Sequence, residues 1–182
     1  MIRIFIALSI SENIKDNIFS HCIEFVQNYS KFNWEAKDKI HLTLKFIGEV
    51  EDELLPKIID KIEFVKNYTP FDCEISKFGF FFRDDIAKIL WCNLETDNSI
   101  LKLVDELNTR LYKFNIEPDK RKFKAHLTLL RLKTKVDQKF VDGVKSYKFE
   151  PIKFGTNRIS IIQSLLKPTG SEYKVLKNYE LK

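Results

Sequence analysis

Ile40-His41-Leu42-Thr43-Leu44-Lys45-Phe46 and Lys124-Ala125-His126-Leu127-Thr128-Leu129-Leu130-Arg131 share one tetrapeptide, His-Leu-Thr-Leu, placed once in each half of a 182-residue chain. Both stretches alternate apolar and polar residues, the period of a strand with one buried face. Side chains at i and i+2 share a face, so His41 projects with Thr43 while Ile40, Leu42, Leu44 and Phe46 point into the core. His126 and Thr128 repeat the arrangement over a buried set of Phe123, Ala125, Leu127 and Leu129, with Lys122 and Lys124 on the histidine side. Packing accounts for the alternating leucines but gives no reason to set His and Thr on the polar face twice. The repetition points to chemistry, and to two similar lobes that face one another.

Outward from these strands the periods alternate between two and three to four. Ile2 to Leu8 reads as a first strand rather than a signal peptide, since it has no basic leader and no small-residue cleavage site. Ser9 and Glu12 have capping-box spacing, and Ile14, Ile18, Cys22 and Phe25 continue as a helix to about Tyr29. Glu51 to Val65 predicts a second amphipathic helix. Pro70 to Phe82 and Ile86 to Leu94 predict a hairpin about Arg83-Asp84-Asp85. Asp97 or Asn98 caps a helix with the stripe Leu101, Val104, Leu107, Leu111 and Phe114, which Asn115 to Pro118 ends. A strand over 123–132, a short helix over 136–144 and strands near 147–154, 158–166 and 173–176 complete the pattern. Strands and helices do not alternate strictly, so the class is α+β with mainly antiparallel pairing. No linker composition interrupts residues 1–182, which are expected to form a single domain.

The composition is that of an ordinary globular protein, 44% hydrophobic and 31% charged. Nowhere do about 18 apolar residues run together, so no membrane span is expected. Cys22, Cys73 and Cys92 are odd in number and far apart, which fits reduced, buried thiols in a cytoplasmic protein. The net charge of +5 favours anionic partners. It is concentrated where it matters: Lys120 to Lys135 holds seven basic residues, no acid and the second tetrapeptide.

Two histidines with ordinary pKa values of about 6.5 can divide into one neutral and one charged group near neutrality. Displacement at phosphorus needs that division, a base on the attacking water and an acid on the departing oxygen. The Thr43 and Thr128 hydroxyls would donate to the non-bridging oxygens. No Cys or carboxylate group has ligand spacing around the third histidine, His21, which falls on the packed face of the first helix, so no metal is expected. No Gly-rich loop with Gly-Lys-Ser/Thr is present, so triphosphate use is unsupported and no cofactor is expected.

At these residues the chain resembles the 2H phosphoesterase superfamily, and in particular the RNA 2′,3′-cyclic phosphodiesterases that were first called 2′-5′ RNA ligases. The resemblance extends over nearly the whole chain. It rests on Arg3-Ile-Phe-Ile-Ala7, on Trp34 to Val50, on Phe123-Lys-Ala-His-Leu-Thr-Leu-Leu-Arg131 and on Ser164 to Tyr173. It implies a bilobal fold with two antiparallel sheets facing a central cleft and helices on the outside. It also implies metal-independent opening of an RNA 2′,3′-cyclic phosphate to a 2′-phosphomonoester, with His41 as the acid for the 3′-oxygen and His126 as the base for water. Thr43, Thr128 and Arg131 would bind the phosphate. On strict alternation Arg131 faces away from His126 and Thr128, so a bulge or strand end has to intervene if it is to reach the site.

Lys122 and Lys124 are candidate RNA-binding residues, and one of Phe80, Phe81 and Phe82 is a candidate stacking platform for a base. A monomer is the default assembly. Two other activities fit the same residues: ligation or cleavage of 2′-5′ linkages, and RNA binding without turnover, in which the basic stretch alone would be the footprint.

Overall fold

The structure, a computed structural model, describes residues 1–26, 29–168 and 170–182. Among them run β1 (Ile2–Ser9), α1 (Glu12–Phe25), β2 (His41–Val50), α2 (Leu55–Lys61), β3 (Phe71–Ile75), β4 (Phe78–Arg83) and β5 (Ile86–Asn93). The second half adds α3 (Ser99–Tyr112), β6 (His126–Arg131), α4 (Gln138–Ser146), β7 (Ile152–Thr156), β8 (Arg158–Lys167) and β9 (Gly170–Glu180). The fold is α+β with antiparallel pairing throughout, as the mixed periods predict.

Two antiparallel arms, β4-β5-β6 and β2-β1-β8-β9, meet at the strands that carry the two tetrapeptides. The seam between β2 and β6 is narrow, a single pair of partners, Leu42 and Leu127. Both leucines are fully buried. Ile4, Ile6 and Leu8 of β1 pack with Ile14, Ile18 and Cys22 of α1, Leu103, Leu107 and Leu111 of α3, and Val141 and Val144 of α4. The helices thus cover one face of the sheet. The other face holds a small cluster of Phe5, Ala7 and Ile162 with Tyr173 against it, and there the cleft opens.

Several local expectations are corrected. Ser9 belongs to β1 and pairs with His41, so the helix is capped from Ser11, whose hydroxyl goes to Asn13 rather than to a helix N–H. The first helix ends at Phe25, short of Tyr29, and residues 27 and 28 of its expected end lie outside the described residues. The stretch 51–65 divides into a 3-10 turn (Asp52–Leu54), α2 and a second 3-10 turn (Glu63–Asn67). Pro56 lacks an N–H and is tolerated only in the first turn, so α2 starts immediately before it. Leu101 is exposed, and Ile100 and Leu103 take its place in the α3 stripe.

The expected strand 70–82 is two strands. At its break Asn93 accepts hydrogen bonds from the backbone N–H groups of both Ser76 and Lys77, at 2.9 Å each. This frees β3 to pair with β7 in a separate two-stranded sheet, while β4 keeps the expected hairpin with β5. That hairpin turns through Asp84 and Asp85 with φ of 50° and 58°, the left-handed pair that matches strand twist.

Candidate active site

Strict alternation fails at the same place in both motif strands. In β6 the partners run Trp91 with Thr128, then Leu90 with Leu130, leaving Leu129 as an extra residue. In β2 they run Ala7 with Thr43, then Ile6 with Lys45, leaving Leu44 extra. Each is a bulge one residue after the threonine. Its effect is to bury two consecutive side chains, Leu129 with Leu130 and Leu44 with Lys45, and to return the next residue to the histidine face.

That residue is Arg131 in β6 and Phe46 in β2, and both line the cleft. The bulge meets the condition under which Arg131 reaches the site. It also corrects the expectation for Phe46, which is 43% exposed instead of buried and lies under the Arg3 guanidinium, 4.9 Å from the ring centroid. The adjacent leucines 129 and 130 are the signal in the sequence that alternation stops there.

The cleft has a volume of about 700 Å³ and brings together His41, Thr43, His126, Thr128 and Arg131. Arg3, Lys39 and Lys133 add positive charge to its walls, and Glu35, Phe5, Ser164, Ser171 and Tyr173 line it too. None of this second group was singled out by sequence reasoning as a site residue. Lys122 and Lys124 lie outside the lining: Lys122 is exposed ahead of β6, and the Lys124 ammonium stands over Trp91 and Phe81, 4.4 and 5.0 Å from their ring centroids. Of the three phenylalanines, Phe80 is buried, Phe82 lies under Lys145, and Phe81 meets the His126 ring edge-on at 4.7 Å.

The two imidazoles are held differently. His126 donates from Nδ1 to the Lys124 carbonyl at 2.7 Å. Because a carbonyl only accepts, the proton sits on Nδ1 and the lone pair on Nε2. His41 stacks on Phe5 at 4.9 Å with Tyr173 edge-on at 5.6 Å, and its Nε2 lies 3.2 Å from the Thr43 hydroxyl. Its Nδ1 is buried without a hydrogen-bond partner among the described residues, although the Lys39 carbonyl favours its charged form.

Burial therefore dominates at His41 and, with Lys15, Arg131 and His126 nearby, lowers its pKa to about 4. His126 is lowered as well, first by burial and then by Lys124 and Arg131. Both rings favour the neutral form in the free protein at neutral pH, so either can accept a proton, and a negative charge in the cleft would favour the charged form of each.

Lys45 ties the two motifs together beneath this surface. Its side chain is 1% exposed, and Nζ donates to the Glu117 carbonyl at 2.7 Å and to Asp119 at 3.1 Å, on the segment that leads into β6. His21 lies away from the cleft, with Nδ1 2.9 Å from the Tyr147 hydroxyl and its ring against Phe149. All three cysteines are free and buried. Among the described residues no group of three or more His, Cys, Asp or Glu side chains is placed to hold a metal ion. No described helix is long and apolar enough to cross a membrane.

Comparison with known proteins agrees with this geometry. The chain is similar to the RNA 2′,3′-cyclic phosphodiesterase of Thermotoga maritima, 30% identical over 96% of this chain and 92% of that one. It is also similar to the protein of the same name from Archaeoglobus fulgidus, 28% identical over 98% of this chain and 99% of that one. Among solved structures, TT0787 of Thermus thermophilus has the same fold, with a TM-score of 0.80 at 22% identity over 98% of this chain and 97% of that one. So does E. coli LigT complexed with 3′-AMP, at 0.78 and 19% over 100% and 98%. The family described as LigT like phosphoesterase matches twice, over residues 8–89 with His41 and over residues 90–173 with His126, and the chain belongs to that family.

Proposed function

We propose that this protein is an RNA 2′,3′-cyclic phosphodiesterase, a hydrolase that opens terminal cyclic phosphates to 2′-phosphomonoesters by two-histidine acid-base catalysis. The observation that carries the reading is the meeting of two His-x-Thr pairs and Arg131 in one basic cleft. The relatives named for this activity, matched over almost their whole length, support it. The chain acts as one domain of two pseudo-symmetric lobes, each contributing one histidine, one threonine and one bulge.

Thr43, Thr128 and the Arg131 guanidinium bind the non-bridging oxygens. His126 Nε2, which carries the lone pair, takes a proton from water as the oxygen attacks phosphorus. The bond to the 3′-oxygen breaks, and His41 supplies that oxygen with a proton. His41 holds this proton only once the phosphate's charge offsets its burial. The ring strain of the cyclic ester and these residues suffice without a metal.

Incubation with an RNA ending in a 2′,3′-cyclic phosphate, in the presence of EDTA, tests this directly. A 2′-phosphate product is expected. Joined 2′-5′ products would favour ligation, and binding without turnover would leave only an RNA-binding module.

A further inference from the structure

Glu35 is the one carboxylate among the described residues that line the cleft. It is attached to the second motif twice. Its backbone N–H donates to the carbonyl of the bulged residue, Leu129, at 2.9 Å, and its Oε1 accepts from Arg131 Nε at 3.0 Å. With Nε engaged, the outer nitrogens of Arg131, whose side chain is 60% exposed, remain open to the cleft; Glu35 itself is 21% exposed. Its field also reaches the other arm, where, after burial, it helps to raise the Tyr173 phenol above its ordinary pKa.

The substrate and product of the proposed reaction differ in charge. A phosphodiester carries one negative charge, whereas a phosphomonoester carries about −1.5 to −2 at pH 7 because its second pKa is about 6. A fixed carboxylate beside the phosphate grip repels the second species more than the first. We propose that Glu35 is a specificity-determining residue: it braces Arg131 towards the cleft and sets the cleft's charge for a singly charged phosphodiester against a doubly charged monoester, which hastens product release. This rests on the reading above that the cleft takes a phosphodiester.

The test is calorimetric titration of adenosine 2′-phosphate into the wild type, Glu35→Gln and Glu35→Ala, at pH 8 and pH 5, with melting curves to confirm folding. Glutamine keeps an acceptor for Arg131 Nε but removes the charge; alanine removes both. Glu35→Gln is expected to bind the nucleotide about tenfold more tightly than wild type at pH 8. At pH 5, where the phosphate has lost one charge, the gain falls to about threefold, because half the charge gives half the free energy. Glu35→Ala binds more weakly than Glu35→Gln at both pH values.

Unchanged affinity in Glu35→Gln, or the same gain at both pH values, would overturn the proposal. So would equal weakening in both variants, which would reduce Glu35 to a brace. Turnover of the cyclic-phosphate RNA by the wild type is scored separately, so failure of the hydrolase reading is seen there and not in these titrations.

Discussion

Two imidazoles from one tetrapeptide differ because their surroundings differ: His126 donates from Nδ1 to the Lys124 carbonyl at 2.7 Å, while the Lys39 carbonyl at the matching position does not offset the burial of His41 between the Phe5 and Tyr173 rings. The proposed acid, His41, must carry a proton, and its pKa of about 4 removes that proton from the free protein as pH rises. The proposed base, His126, must lack one, and it gains a proton as pH falls below its own lowered pKa. The product of the two fractions peaks between the two values, both below the ordinary value of about 6.5. The expected kcat/KM profile, which reports the free protein, is a bell centred on the acid side of neutrality. A maximum at pH 8 in a measured profile would contradict the burial argument. The meeting of His41, Thr43, His126 and Thr128 on one cleft was legible in the sequence because a polar pair repeated on an otherwise apolar pattern needs a reason. Glu35 was not, because it lies in an irregular segment where no period assigns a face, and only its bonds to Leu129 and Arg131 place it.

The elements were legible where local periods decide them, as in α1, α3 and the β4–β5 hairpin. They were misread where a distant partner decides: β3 leaves β4 for β7, far along the chain, and nothing local announces it. The bulges belong to the same class, because register depends on the neighbouring strand. Their consequence is functional, since without the extra Leu129 Arg131 would point into the core. Beside β6, the position of Trp91 on β5 depends on β4. A Cβ on Gly79 would stand 2.6 Å from Trp91 Cζ2, closer than atoms tolerate, and Trp91 in turn packs under Phe81 and Lys124, which adjoin His126. Gly79→Ala is therefore expected to cost about 1–3 kcal/mol, the usual range for forcing an extra methyl group against a packed side chain. A urea-unfolding midpoint equal to that of the wild type would show that Trp91 moves aside freely.

At the scale of the molecule, the ladder that joins the two arms is a single pair of partners across β2 and β6, and the buried Lys45 links the first motif strand to the segment entering the second. This connection sets two equivalent surfaces around one cleft, each bringing a histidine and a threonine, with Arg131 from one side and Phe46 beneath Arg3 from the other. Of the seven basic residues around the second tetrapeptide, Arg131 and Lys133 line the cleft. The central claim is that the two histidines act as one unit on one phosphate. Single-turnover rates on a cyclic-phosphate RNA for His41→Ala, His126→Ala and the double variant test it most directly. Each single variant is expected to lose about a hundredfold or more, and the double little beyond that, because groups acting in one step are not additive. A single variant with the wild-type rate would contradict the account.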